Sequence, residues 1–199
     1  MNCRRRRIDA FGDGGTVRRY HLQQHLHCIF NTISTPMPPA PLIDASHAAF
    51  IQGPVGISVA ACAHSGMPTL VRAIGCRIAP DSPQVTIFLS AVQSARLLKC
   101  VRDNGAVAVV FSEPSTHRTV QLKGSDAVVS TLEKDEWEQV LAHRDAFVRE
   151  LGPLGFDPAM VRTLLSHPQA NVVALRFTPT EAYSQTPGPQ AGAPLRADA

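Results

Sequence analysis

Three short stretches hold the side chains best suited to chemistry. Arg72 and Arg77 lie in RAIGCR (72–77), Ser90, Ser94 and Arg96 in SAVQSAR (90–96), and Arg118, Thr119 and Gln121 in RTVQLKG (118–124). Guanidinium groups give bidentate contacts to phosphate. Serine hydroxyls add donors, and the free N–H groups of a helix N-terminus attract anions. Such a set suits a phosphorylated ligand. The plainer reading is that these arginines are solvated surface charges. Arg72 and Arg77 are five residues apart, so an unbulged strand points them to opposite faces. Both reach one ligand only across an edge or through a bulge. In the third stretch Arg118, Val120, Leu122 and Gly124 share one side of a strand, and Thr119, Gln121 and Lys123 share the other, which faces either a ligand or water.

Other chemistries have little material. The chain has no GxSxG elbow, no GxxxxGK[ST] loop and no GxGxxG. Acidic residues are sparse between Pro54 and Lys123, which leaves little for paired-carboxylate catalysis. His64, His117, His143 and His167 are widely spread. His117, beside the third stretch, is a candidate proton donor, or else a loop histidine touching only water. His21, His25, His27 and Cys28 have ligand-like spacings but no second cluster to complete a metal site, so no metal is expected.

The elements that must position these residues come from a chain of 199 residues, 44% hydrophobic, enough for one domain with a sizeable core. No apolar run is long enough to cross a bilayer. Residues 1–36 carry six arginines against two aspartates, while the whole chain carries only +3, so the body is nearly neutral and implies no nucleic-acid face. A basic-armed nucleic-acid protein is a third possibility carried only by that arm. The arm also lacks the apolar core and cleavage site of a secretory signal. The five cysteines form no CxxC pair, which points to a reducing, cytoplasmic setting. Residues 1–36 are expected as a disordered basic extension, 37–184 as the folded domain and 185–199 as a disordered tail.

A short helix is predicted over 45–51. Strands are predicted over 56–64, 69–78, 84–90, 106–111, 118 to about 129, and 171–184, from alternation, β-branched content and the turns between them. Val92, Ala95, Leu98 and Val101 recur at helical spacing between a Ser90 N-cap and an Asn104-Gly105 stop. Ser130 and Glu133 fit a capping box opening a helix to about Leu151. Asp157-Pro158 starts a short helix to Ser166. Cys62, Cys76 and Cys100 read as small core residues, and Trp137 as an anchor of its helix. Six strands with short turns and peripheral helices give a mainly β fold, a small β-barrel.

The succession of RAIGCR, a strand ending FLS (88–90), a helix bearing SAR (94–96), the buried strand AVAVVF (106–111) and RTVQLKG resembles the pyridoxamine 5′-phosphate oxidase-like family of FMN-binding split β-barrels. The resemblance covers roughly residues 45–184 and implies a six-stranded split barrel that binds FMN across a homodimer interface. By position it implies that Arg72 contacts the flavin phosphate or ribityl chain, that Ile74 lies along the flavin, and that Arg77 replaces a lysine near flavin and substrate. Leu89 and Ser90 match the strand-end pair beside the flavin, Ser94 and Arg96 the pair that holds the phosphate. Thr119 stands where the best-known members have glutamine, with Gln121 or His117 as compensation and Arg118 leading the strand. The tryptophan-and-arginine pattern of true pyridoxamine phosphate oxidases is not present at the C-terminus, so that oxidation is not implied. The family also holds reductases, haem-degrading members, deazaflavin users and mere flavin binders. The expected function is therefore an FMN-dependent oxidoreductase acting on a small-molecule substrate, its catalytic residues unassigned. The alternative is a non-catalytic flavin- or haem-binding protein, in which His167 is a candidate haem ligand.

Overall fold

Period-two burial shapes most of the molecule. A computed structural model describes residues 42–79 and 82–195. The expected N-terminal extension, with its histidines and Cys28, lies outside the described residues. Strand β1 (Gly56–Cys62) buries Ile57, Val59 and Ala61 and turns Ser58 and Ala60 outward. The same alternation recurs in β5 (Val107–Ser112) and β6 (Thr119–Gly124). With β2 (Pro68–Arg72) and β9 (Glu181–Ser184) they form a five-stranded sheet of order β2-β1-β5-β6-β9. A second sheet has the order β3-β4-β8-β7, from Gly75–Ile78, Val85–Ser90, Val172–Phe177 and Val128–Ser130. Every pairing is antiparallel. The fold is mainly β, with two sheets and several helices.

The strand count differs from expectation. Among the described residues nine strands are found where six were predicted, because three of the six pass from one sheet to the other. At the first crossing the Ala73 N–H donates to Ile57 O of β1, and the next N–H, of Ile74, donates to Phe88 O of β4, both at 2.9 Å. The second crossing follows Gly124, where a Cβ would stand 2.7 Å from Phe177 and 2.8 Å from Thr178 O. Only glycine allows that approach of β6 to the β8–β9 corner.

Helix α1 (Ala45–Ile51) lies where predicted, with Asp44 accepting from the His47 N–H at 2.7 Å. That bond holds the Asp44 carboxyl below its ordinary range. Helix α2 spans Ala95–Asn104 and stops at Gly105, φ 68°. Its N-cap is Ser94 and not Ser90, which ends β4. Helix α3 (Glu136–Leu151) also starts later than predicted. Ser130 belongs to β7, where its hydroxyl accepts from Arg176, so it caps nothing. The Glu136 side chain does accept from the Glu133 N–H at 2.7 Å, but the N-cap of α3 is Asp135, so no capping box forms. Asp157 caps α4 (Pro158–Leu164) as expected.

The main core lies between the two sheets and takes in Leu97, Leu98 and Val101 of α2. Helix α3 covers the outer side of the four-stranded sheet, packing Val140 on Ile74, Phe88, Val172 and Ala174, with Trp137 alongside as its anchor. Beneath the start of α3 the Arg176 guanidinium meets fully buried Glu136 at 2.7 and 2.8 Å. Helices α3 and α4 join through Phe147, Val148, Val161 and Leu165. Cys76 and Cys100 are buried as expected, and burial pushes the Cys76 thiol up to about 12, but Cys62 is exposed, because it faces outward at the end of β1. Residues 185–195 turn back along β9, with Leu195 N–H donating to Ala182 O at 2.9 Å. Among the described residues no helix is long and apolar enough to cross a membrane.

Candidate functional site

The crossing at Ala73–Ile74 decides where the two arginines of RAIGCR point. Arg72 lies on the outer face of the five-stranded sheet, opposite Ser58. Ala73 and Cys76 are in the core between the sheets, whereas Ile74 and Gly75 both face outward toward α3. Two consecutive outward residues reset the alternation, as a bulge does. Cys76 and Ile78 pack on the core, so Arg77 between them faces out, as Arg72 does. The opposition expected of an unbulged strand is thereby removed.

The β4–α2 junction behaves differently at each position. Leu89 is fully buried in the core, and Ser90 is buried with its hydroxyl accepting from the Gln93 N–H at 3.4 Å. Ser94 is 1% exposed and its hydroxyl has no partner, although it caps a helix of ten residues. Arg96 is exposed in the first turn. Ile74 is packed beneath Val140 of α3. Ile74 and Leu89 therefore present at most backbone groups to a ligand.

In RTVQLKG the two sides separate as the alternation requires. Arg118 precedes β6 and stacks its guanidinium 4.2 Å from the Phe50 ring of α1, away from the outer face. Thr119 and Gln121 are on that face. The Thr119 hydroxyl donates to His117 O at 3.0 Å and meets the Ser112 hydroxyl at 2.9 Å, while Gln121 Oε1 accepts from Gln185 at 3.2 Å. Register puts Arg72, Ser58, Val110, Gln121 and Tyr183 in one row across the sheet. Three strand spacings separate Arg72 from Gln121, roughly 14 Å, too far for one phosphate to bridge. At the far end of the sheet Glu181 is held below its ordinary range by the Tyr183 hydroxyl and by Lys123, and the Tyr183 phenol is raised in return.

Arg72 opens onto a cleft of about 540 Å³. A Cβ at Gly56 would stand 3.6 Å from Arg72 Nη1 and 3.7 Å from Phe147 Cζ, so Gly56 forms the floor between them. One wall is Ser58, Ser112, Pro114 and His117, and the other is apolar, from α3, α4 and the turn joining them. Most of this lining was not anticipated from sequence. The available signal was the composition of α4. Val161 and Leu165 form one apolar pair at helical spacing and pack against α3, while Met160 and Leu164 form a second pair, 53% and 65% exposed, facing the cleft.

No family model matches the chain, and no curated protein matches it. Solved structures similar to it include HupZ of Group A Streptococcus, 13% identical over 75% of this chain and 100% of that one, with a TM-score of 0.46. An F420 reductase is 16% identical over 70% of this chain and 98% of that one, also at 0.46. A pyridoxamine 5′-phosphate oxidase-related FMN-binding protein of Nostoc punctiforme is 14% identical over 73% of this chain and 84% of that one, at 0.41. Proteins of the family that the sequence pattern resembles are thus among the chain's structural neighbours.

Proposed function

We propose that the chain is an FMN-binding oxidoreductase built on a six-stranded split barrel. The observation that carries the reading is the reset of alternation at Ile74–Gly75, which leaves Arg77, like Arg72, on the outside of the barrel. Counting each crossing strand once, the pairings run β1, β2/β3, β4, β8/β9, β6/β7, β5 and back to β1, a circuit of six. Arg72, Arg77 and Arg96 would hold the phosphate together with Ser94, whose buried and unpartnered hydroxyl fits an acceptor at a helix N-terminus. Gln121 is too far along the sheet to join Arg72 on that phosphate within one chain. A homodimer would bring a second copy's outer face to it. Arg118 is held on Phe50, and Ile74 is covered by α3, so the flavin ring has its room on the side of Ser58 and the cleft.

When bound, FMN would supply hydride or electron transfer, and the protein would supply binding, orientation and charge. The test is a visible spectrum and a released-ligand mass, followed by a titration with FMN. Arg72→Gln is expected to weaken FMN about tenfold or more, the loss of one charge-assisted contact. No chromophore, and no quenching of added FMN, would refute the reading. Turnover with reduced nicotinamides and varied acceptors separates an oxidoreductase from a flavin binder without turnover.

A further inference from the structure

The cleft beside Arg72 has far more apolar wall than a phosphate or ribityl chain needs. Phe156, Met160 and Leu164 stand 46%, 53% and 65% exposed along it. Its other wall is polar, with Ser58, Ser112 and His117 beside Arg72. No aspartate or glutamate lines it. Two carboxylates adjoin the His117 loop without lining the cleft, Glu113 accepting from the Thr116 hydroxyl at 2.6 Å and Glu150 of α3 accepting from the Ser115 N–H at 3.0 Å. The lining therefore joins one fixed cation, Arg72, and a few polar donors to a wall that is otherwise apolar.

His117 is held in that lining by its backbone. It sits in the hairpin between β5 and β6 with φ 62°, the left-handed region where glycine is the unstrained occupant. The turn closes by Glu113 N–H to Arg118 O and His117 N–H to Glu113 O, each 2.9 Å. Glycine would make this turn with less strain, so the imidazole does not serve the turn. Strain at a ligand-facing side chain is the pattern of a functional position.

We propose that this cleft binds an elongated apolar carboxylic acid, its carboxylate at His117 and its body along Phe156, Met160 and Leu164. The volume of about 540 Å³ lies within the range of small-molecule sites. The site goes beyond the flavin reading and needs no flavin to fill it.

The test uses the full chain and the fluorescence of 8-anilinonaphthalene-1-sulfonate, displaced by dodecanoate or by dodecanol. Dodecanoate is expected to displace the dye about tenfold more strongly than dodecanol. His117→Gly should melt at the same temperature or higher, lose most of that preference, and keep its dodecanol affinity. Met160→Glu should weaken both ligands. Three results overturn the proposal: no dye binding, a dodecanoate preference that survives His117→Gly, or dye binding that falls with rising protein concentration as the chain associates, which would give the cleft to a second copy. FMN titration is run in parallel. Its failure sinks the flavin reading and leaves this one standing.

Discussion

His143 ties the stability of the fold to pH. It is buried where α3 crosses β3, 3.4 Å from where a Cβ on Gly75 would stand. Its ring stacks on Phe147, centroids 6.2 Å apart and planes 8° from parallel, and its Nδ1 has no partner. Burial lowers its pKa from 6.5 to about 4, against a smaller opposing contribution from the backbone of Val55. The unfolded chain takes a proton as pH falls through 6.5, and the folded chain refuses it until about 4. The neutral ring's contribution is complete above 6.5 and is lost at about 1.4 kcal/mol per pH unit below it, about 2 kcal/mol by pH 5. Urea melts of the wild type and of His143→Gln, at pH 7 and pH 5, check this. Every other side chain is common to both proteins and cancels in the comparison. Between those pH values the wild type should lose about 2 kcal/mol more than the variant, near 1 M in midpoint for an ordinary urea slope. Equal losses in the two proteins would refute the assignment of a buried neutral imidazole.

Two further substitutions test the frame around the site. Glu136→Ala removes the buried carboxylate from Arg176, which keeps the exposed Glu133 at 3.1 Å, and should cost about 1.5–3 kcal/mol, most of it recovered in urea melts by Glu136→Leu combined with Arg176→Met. Gly105→Ala puts a Cβ 2.5 Å from Ser125 O at φ 68°, and its thermal melt should reveal a loss of about 2 kcal/mol.

The strands were legible because alternation and β-branched content survive in β1, β4, β5 and β6 whatever packs around them. The crossings were not. Residues 69–78 read as one strand since most are strand formers and no turn pair interrupts them, and only the hydrogen-bond partners, Ile57 for Ala73 and Phe88 for Ile74, show that the sheet changes midway. The helix starts were misjudged for a related reason. Ser90 and Ser130 have capping chemistry, but the strand ladder claims them first, and the helices begin at Ala95 and Glu136. Of the candidate residues named from sequence order, the structure places Arg72 at the cleft and Ser94 buried at the start of α2. Sequence order could not show that Leu89 faces the core or that Arg118 rests on Phe50, because both depend on contacts far along the chain.

The same two residues that turn Arg77 to the outside also seat α3. At Gly75 an added Cβ would come within 3.3 Å of Phe88 and 3.4 Å of His143, so the helix can lie this close only over a bare backbone. Ile74 beside it fills the contact with Val140. Once α3 is seated, Phe147 and Leu151 form part of the cleft wall, and Glu150 holds the loop that carries His117 through the Ser115 N–H. The orientation of the arginines and the shape of the cleft are thus consequences of one local event in the strand. A change there that moved α3 outward would alter the arginine-bearing and the apolar sides of the cleft together.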